Sequence, residues 1–235
     1  MNILAIDTTS KKASVALKKD NKVISKCIDN EITHSEKLLP LIDEVLKSTN
    51  TNLKDIDLFA CTLGPGSFTG VRIGIATVKA LAKVYNKKIY GITSLELLAL
   101  NGIKNFEPNT KYVLSLLDAK NSRAYYNVYL LDKDVNNNTY LKDTGLSGNL
   151  IITDLAYELV QKGIQDVLVI GDVTSKFKEV LSNSIPNSHF EDSKLDIEAL
   201  IENITEDSSK YYDYLTLDAM YYRNSEAERT KNGEK

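Results

Sequence analysis

The sequence is poor in the residues that build metal and disulfide sites. Its cysteines are Cys27 and Cys61, and its histidines are His34 and His189, with no close Cys or His companions. Zinc sites need closely spaced ligands of these types, so that class is set aside. A disulfide scaffold goes with it. The two cysteines read as reduced core residues of a cytoplasmic protein. No apolar run approaches the roughly 18 residues of a membrane-spanning helix. MNILAIDTTS turns polar by its seventh residue, unlike a signal peptide. Positive charge is also lacking: 29 Lys and Arg face 32 Asp and Glu, a net charge of −3. An autonomous nucleic-acid binder carries a basic footprint, so that class is disfavoured too. Lys11, Lys12, Lys18, Lys19, Lys22 and Lys26 form one local basic cluster.

What is present reads as strands alternating with helices. An apolar run at 3–8 ends in an aspartate and hydroxyls, and the runs at 13–19 and 22–29 meet at Asp20-Asn21, a hairpin signal. Leu38, Leu41, Ile42, Val45 and Leu46 recur at helical spacing over 35–47, with Ser35 as cap and Pro40 inside. A buried-type strand at 57–62 leads to a helix over 68–83, a strand at 87–92 and a helix at 94–100 capped by Ser94. The polar stretch 101–110 reads as a linker between an N-terminal half, 1–104, and a C-terminal half, 105–228, with 229–235 as a disordered tail. KYVLSLLDAKNSRAYYNVYLL, 111–131, echoes the N-terminus, since both have an apolar strand ending at an aspartate (Asp7, Asp118) followed by a returning strand. Beyond it, 134–149 reads as loop and 152–163 as a helix capped by Thr153 and stopped by Gly163. A buried strand follows at 166–172. The whole implies two halves with mixed sheets covered by helices.

LGPGSFTGVRIGIATVKAL, 63–81, is the most distinctive stretch. At about 100° per residue, Arg72, Lys79 and Lys83 share one stripe suited to water. Gly70, Gly74, Thr77 and Leu81 form a second row, flanked by Ile73 and Ala80. Val71, Ile75, Val78 and Ala82 form a third. Two helical glycines each cost about 0.5–1 kcal/mol relative to alanine. Spaced four apart, they clear a strip on which another helix can lie closely. That helix is either the chain's own 35–47 segment or one from a partner. A Walker loop needs a Lys-Ser/Thr after its second glycine, and GPGSFTG has none. The stretch reads as a packing surface, not a phosphate cradle.

Chemistry is sparse elsewhere. Asp7-Thr8-Thr9 could hold a metal–phosphate group, but Asp118-Ala119-Lys120-Asn121 lacks glycines for a second phosphate, and Gly171 stands alone late in the chain. Binding of ATP or ADP with magnesium is therefore expected to be weak or absent. Glu36 and Glu96 look like exposed helix carboxylates without partners for acid–base work.

MNILAIDTTSKKASVAL, THSEKLLPLI, LGPGSFTGVRIGIATVKALA, YGITSLELLA and YYRNSEAE, in this order over nearly the whole chain, resemble the bacterial TsaB (YeaZ) family. The resemblance implies an actin-like, Hsp70-like ATPase architecture, ribonuclease H-like in its core, with two β-β-β-α-β-α halves. It implies a subunit of the machinery that makes N6-threonylcarbamoyladenosine at position 37 of tRNA. The subunit would pair with the catalytic subunit TsaD, and with itself when alone, beside TsaE in a larger complex. Contact with tRNA would be indirect or secondary. Where TsaD-like chains hold metal through an HxxxH-type motif, this sequence reads Gly91-Ile92-Thr93-Ser94-Leu95-Glu96-Leu97, so no metal is expected. The implied pairing helices match 35–47 and 68–83. The expected partner-binding residues are Ser35, Leu38, Leu41, Ile42, Val45, Thr69, Gly70, Ile73, Gly74, Thr77 and Leu81. Asp7, Thr8, Thr9 and Asp118 would be a vestigial nucleotide site, with no catalytic residue. The rival readings are an ATP-dependent phosphotransferase using Asp7 and Asp118, and a TsaD-type metallopeptidase.

Overall fold

A computed structural model describes residues 1–29, 34–105, 110–133, 139–171 and 174–222. Its chain forms two compact units, residues 1–97 with the segment from 196 onward, and residues 98–195.

In the first unit, β1 (Ile3–Asp7), β2 (Lys12–Lys19) and β3 (Lys22–Asp29) form an antiparallel meander, and β4 (Leu58–Thr62) and β5 (Lys88–Ile92) add in parallel on the other side of β1. The β2–β3 turn is Asp20-Asn21, both left-handed, the backbone a two-residue hairpin requires. α1 (His34–Ser48) joins β3 to β4, and α2 (Phe68–Tyr85) joins β4 to β5. Both helices pack on one face of the sheet. Leu38, Leu41, Ile42, Val45, Val71, Ile75, Val78 and Ala82 share a core with Leu4, Ile6, Val15, Leu17 and Phe59. β1 and β4 are buried along their whole length.

The second unit repeats this plan. β6 (Tyr112–Asp118), β7 (Arg123–Lys133) and β8 (Thr139–Ile151) are an antiparallel meander, with β9 (Val167–Gly171) and β10 (Ser188–Glu191) parallel beyond β6. α4 (Ile152–Gln161) and α5 (Thr174–Ser184) occupy the places of α1 and α2. With β11 (Tyr211–Tyr212) at one edge, the orders are β11-β5-β4-β1-β2-β3 and β10-β9-β6-β7-β8, so the five shared strands match one for one, the duplicated plan expected of the two halves. α3 (Ser94–Gly102) links the two sheets in sequence, and α6 (Ile197–Glu202) follows β10.

Several local expectations need correction. The described part of 134–149 is not loop: β8 runs from Thr139 with a bulge opposite Asn127 and Tyr129, its alternation blurred because it is an exposed edge. Among the described residues, the second unit ends at Leu195. β11 pairs with β5, so the chain after Asp196 returns to the first unit. Ser35 lies inside α1, which starts at His34. Ser94 is the first residue of α3, and Thr93 caps it by accepting the Glu96 N–H at 3.0 Å. Thr153 lies within α4, and Ile151 holds the N-cap position. Cys27 is exposed on β3, while Cys61 is buried. YYRNSEAE from Arg223 on, the 229–235 tail and the centre of the 101–110 linker lie outside the described residues.

Candidate docking surface and the junction beneath it

The aspartate that ends β1 is 3% exposed, and its Oδ1 is fully engaged. It accepts hydrogen bonds from the Thr9 N–H (3.1 Å), the Thr9 hydroxyl (2.7 Å) and the Thr62 hydroxyl (2.5 Å). Thr9 Oγ1 in turn accepts from Ser94 at 3.0 Å. Burial, and then the Asp7 charge, push the neighbouring Cys61 thiol up to about 12. The turn this network fixes is the seat of α2. Thr9 O accepts the Ser67 N–H (2.7 Å), and the Thr8 hydroxyl donates to the Gly70 carbonyl (2.6 Å).

The glycines of the 63–81 stretch belong to this junction. A Cβ at Gly66 would collide with the Thr9 carbonyl, one at Gly70 with the Thr8 carbonyl, and one at Gly74 with the Thr8 hydroxyl. Their spacing admits the end of β1, not a second helix. The actin-like architecture implies a nucleotide with magnesium at the end of β1, and these residues do not fit it. Asp7 Oδ1 already holds three donors, and the glycine faces are filled by Thr8 and Thr9. Asp118 is exposed at the end of β6 and accepts the Lys120 N–H at 2.9 Å, in a turn whose Lys120, Asn121 and Ser122 are all left-handed. Among the described residues no cluster of His, Cys, Asp or Glu suits a metal ion, and no helix is long and apolar enough to cross a membrane.

The basic stripe of α2 does not simply face water. Residues 213–222 form a strap lying along it. Lys79 Nζ donates to the Leu217 carbonyl (2.9 Å), Lys83 sits 5.6 Å from the Tyr214 ring centroid, and Arg72 Nε donates to the Tyr221 hydroxyl (3.1 Å). The strap is anchored by the buried Leu217 and by the Met220 N–H on the Leu63 carbonyl (2.8 Å). Thus α2 is held on three sides by sheet, turn and strap. Its fourth side is open.

That open side carries Thr69, Ile73, Ala76, Thr77, Ala80 and Val84, exposed or half-buried, with no charge among them. Of the residues expected to bind a partner, Ser35 and Thr69 are exposed, and Ile73, Thr77 and Leu81 are half-buried. Leu38, Leu41, Ile42, Val45, Gly70 and Gly74 are buried in the chain's own core and junction. Ala76, Val84 and, on α1, Leu39 were not among the expected residues, and Ala80 was noted only as flanking the glycine row. The same helical wheel contains them, but the glycine row drew attention to its neighbouring face. Among the described residues of the first unit, seven large apolar side chains are exposed: Met1, Ile24, Leu39, Val84, Leu215, Met220 and Tyr221. All but the first two lie on α1, α2 or the strap, so the exposure is concentrated here.

Comparison with known proteins agrees with this layout. A family model described as "TsaD: tRNA N6-adenosine threonylcarbamoyltransferase" matches residues 25–216. The tRNA threonylcarbamoyladenosine biosynthesis protein TsaB of Buchnera aphidicola subsp. Schizaphis graminum is 32% identical over 176 residues, 75% of this chain and 80% of that one. The chain belongs to the TsaB (YeaZ) family. Bacillus subtilis TsaB is 29% identical over 191 residues, 81% of this chain and 79% of that one. The structure of YeaZ from Pseudomonas aeruginosa superposes with a TM-score of 0.73 at 23% identity, covering 94% of this chain and all (100%) of that one, which establishes the shared fold. Within this TsaB-family chain, the segment aligned by resemblance with the TsaD histidine motif is committed elsewhere. Gly91 lies against Leu63 and Tyr212, Ser94 bonds Thr9, and Glu96 pairs with Lys210. Glu96 is therefore a half-buried, paired carboxylate, not the unpartnered one expected.

Proposed function

We propose that this chain is the non-catalytic subunit that docks on TsaD and supports threonylcarbamoyl transfer to N6 of adenosine 37 in tRNA. The observation that carries the reading is the uncharged open face of α2, running from Thr69 to Val84 with Leu39 of α1 exposed beside the same core. Val84 is 73% exposed and Leu39 60%, and clustered apolar exposure of this kind marks interaction surfaces. In the cytoplasm, TsaD covers the face; without TsaD, a second copy of the chain does. TsaE joins the assembly, and tRNA is reached chiefly through TsaD. Clustered lysines are tied within the chain, among them Lys12 to Asp29, Lys26 to Glu44, and Lys19 to the carbonyls of Thr49 and Asn50.

The test is a calorimetric titration with TsaD of the same organism, comparing the wild type with Ala80→Arg. Ala80 is exposed, so the variant should fold normally while losing at least about 100-fold in affinity, because it places an unpaired charge in an apolar contact. Gly74 is unsuited to this purpose, since a side chain there tests the fold. Unchanged affinity of a folded Ala80→Arg chain would remove the docking assignment.

A further inference from the structure

We propose that Arg72 anchors the docked partner by taking one of its carboxylates at the rim of the α2 face. The proposal rests on the docking reading above and adds a charged contact to an apolar one.

Arg72 is exposed, yet its side chain is not loose. The guanidinium carbon lies 3.9 Å from the Phe68 ring centroid and 6.0 Å from that of Tyr221, whose rings are themselves 4.9 Å apart. Nε is taken by the Tyr221 hydroxyl at 3.1 Å. Stacking and this bond fix the plane of the fork, so the rotamer entropy that binding normally costs is already lost in the free chain. Among the described residues, Nε is the guanidinium nitrogen with a hydrogen-bond acceptor. Among the described residues no acidic side chain pairs with Arg72. α2 itself contains no Asp or Glu. A planar guanidinium with its terminal N–H groups unspent matches a carboxylate in two parallel bonds.

The surroundings select a protein carboxylate over an RNA phosphate. Thr69 and Ala76, three before and four after Arg72, are its neighbours on the helix surface, and both belong to the uncharged docking face. The other cations of the stripe, Lys79 and Lys83, are engaged by the strap. RNA is gripped by several cooperating cations, whereas one preorganised arginine beside an apolar face is the pattern of a protein-interface anchor.

The experiment measures TsaD affinity for wild type, Arg72→Gln, Arg72→Lys and Ala80→Arg at low and moderate salt, with tRNA binding of each chain in parallel. Arg72→Gln should weaken TsaD binding by roughly 10- to 100-fold, the scale of a lost charge-assisted hydrogen-bond pair. Arg72→Lys should recover only a small part, because it keeps the charge and loses the fork. Salt should weaken the wild type more than Arg72→Gln. Tyr221→Phe, which keeps the stack and loses only the Nε bond, should cost a few-fold and guards against a misfolded Arg72 variant. Wild-type affinity in Arg72→Gln, with Ala80→Arg still defective, overturns the anchor and leaves the docking reading standing. A loss of tRNA binding with TsaD binding intact overturns it in favour of a phosphate contact. Intact binding in Ala80→Arg overturns the docking reading and the anchor with it.

Discussion

The two sheets share one strand order, and their first hairpins end at aspartates in matching positions, but the two junctions are built differently. Asp7 is buried and collects three donors, and the glycines of α2 close over the turn that follows it. Asp118 is exposed, its turn runs through three left-handed non-glycine residues, and α5 contains no glycine at all. The topology therefore does not require the glycine seat, since the second unit forms without it. The seat serves the first unit's helix, bringing its N-terminal turn against the backbone of Thr8 and Thr9. Among the described residues, the glycine seat is present on one copy of the repeated plan and absent from the other.

The largest effect that would break this contrast is at Gly70. Gly70→Val should destabilise by about 4 kcal/mol or more, because the new side chain meets the Thr8 carbonyl, which is backbone and cannot swing away. Gly163→Ala, after α4, meets nothing within 4 Å and is strained only by its left-handed φ of 66°. It should cost about 1 kcal/mol. Thermal and denaturant unfolding of the two variants separates close approach from backbone conformation. Equal losses would mean that the α2 seat is no tighter than an open helix stop.

A middle-sized effect is expected at the paired aspartates. Asp7→Ala leaves the Thr62 and Thr9 hydroxyls buried without their acceptor, at about 2–3 kcal/mol. Asp118→Ala should cost at most about 1 kcal/mol, since both Asp118 and Lys120, whose N–H it accepts, are exposed to water. If the two variants unfold at the same denaturant concentration, the buried hub is not a structural centre and a ligand role for Asp7 returns.

How much of this was legible in the sequence follows from the same residues. The meander, both crossover helices and the duplicated order were readable because hydrophobic period and turn chemistry agree locally: Asp20-Asn21 is left-handed, and Leu38 to Leu46 point into the core. The glycine spacing was visible, but its cause was not. The residue that fills the gap, Thr8, lies 62 positions from Gly70, and no local pattern announces such a contact. The strap was hidden for the same reason. Lys79 and Lys83 look solvated on a wheel until a carbonyl and a ring from beyond residue 213 arrive. Edge strand β8 was misread because exposure on both sides erases the alternation that marks a strand.

The smallest effect concerns the strap, which the second unit lacks in any counterpart role on α5 among the described residues. Asp213 Oδ1 accepts the N–H groups of Leu215 (2.8 Å) and Thr216 (2.9 Å), and these bonds, the Thr216 and Leu215 amides foremost, hold its carboxyl below the usual carboxylate range. A depressed carboxylate contributes stability that is fully present above its unfolded pKa, about 3.9, and is lost as pH falls through the lower folded value. Following the Leu215 and Thr216 amide signals by NMR as pH is lowered should give a midpoint below that of an unstructured aspartate, shared by both amides. The Asp213→Asn chain should show no such step. A midpoint at the ordinary value would mean that the turn opening the strap is unformed in solution, and that Arg72 and Tyr221 are not held together from that end.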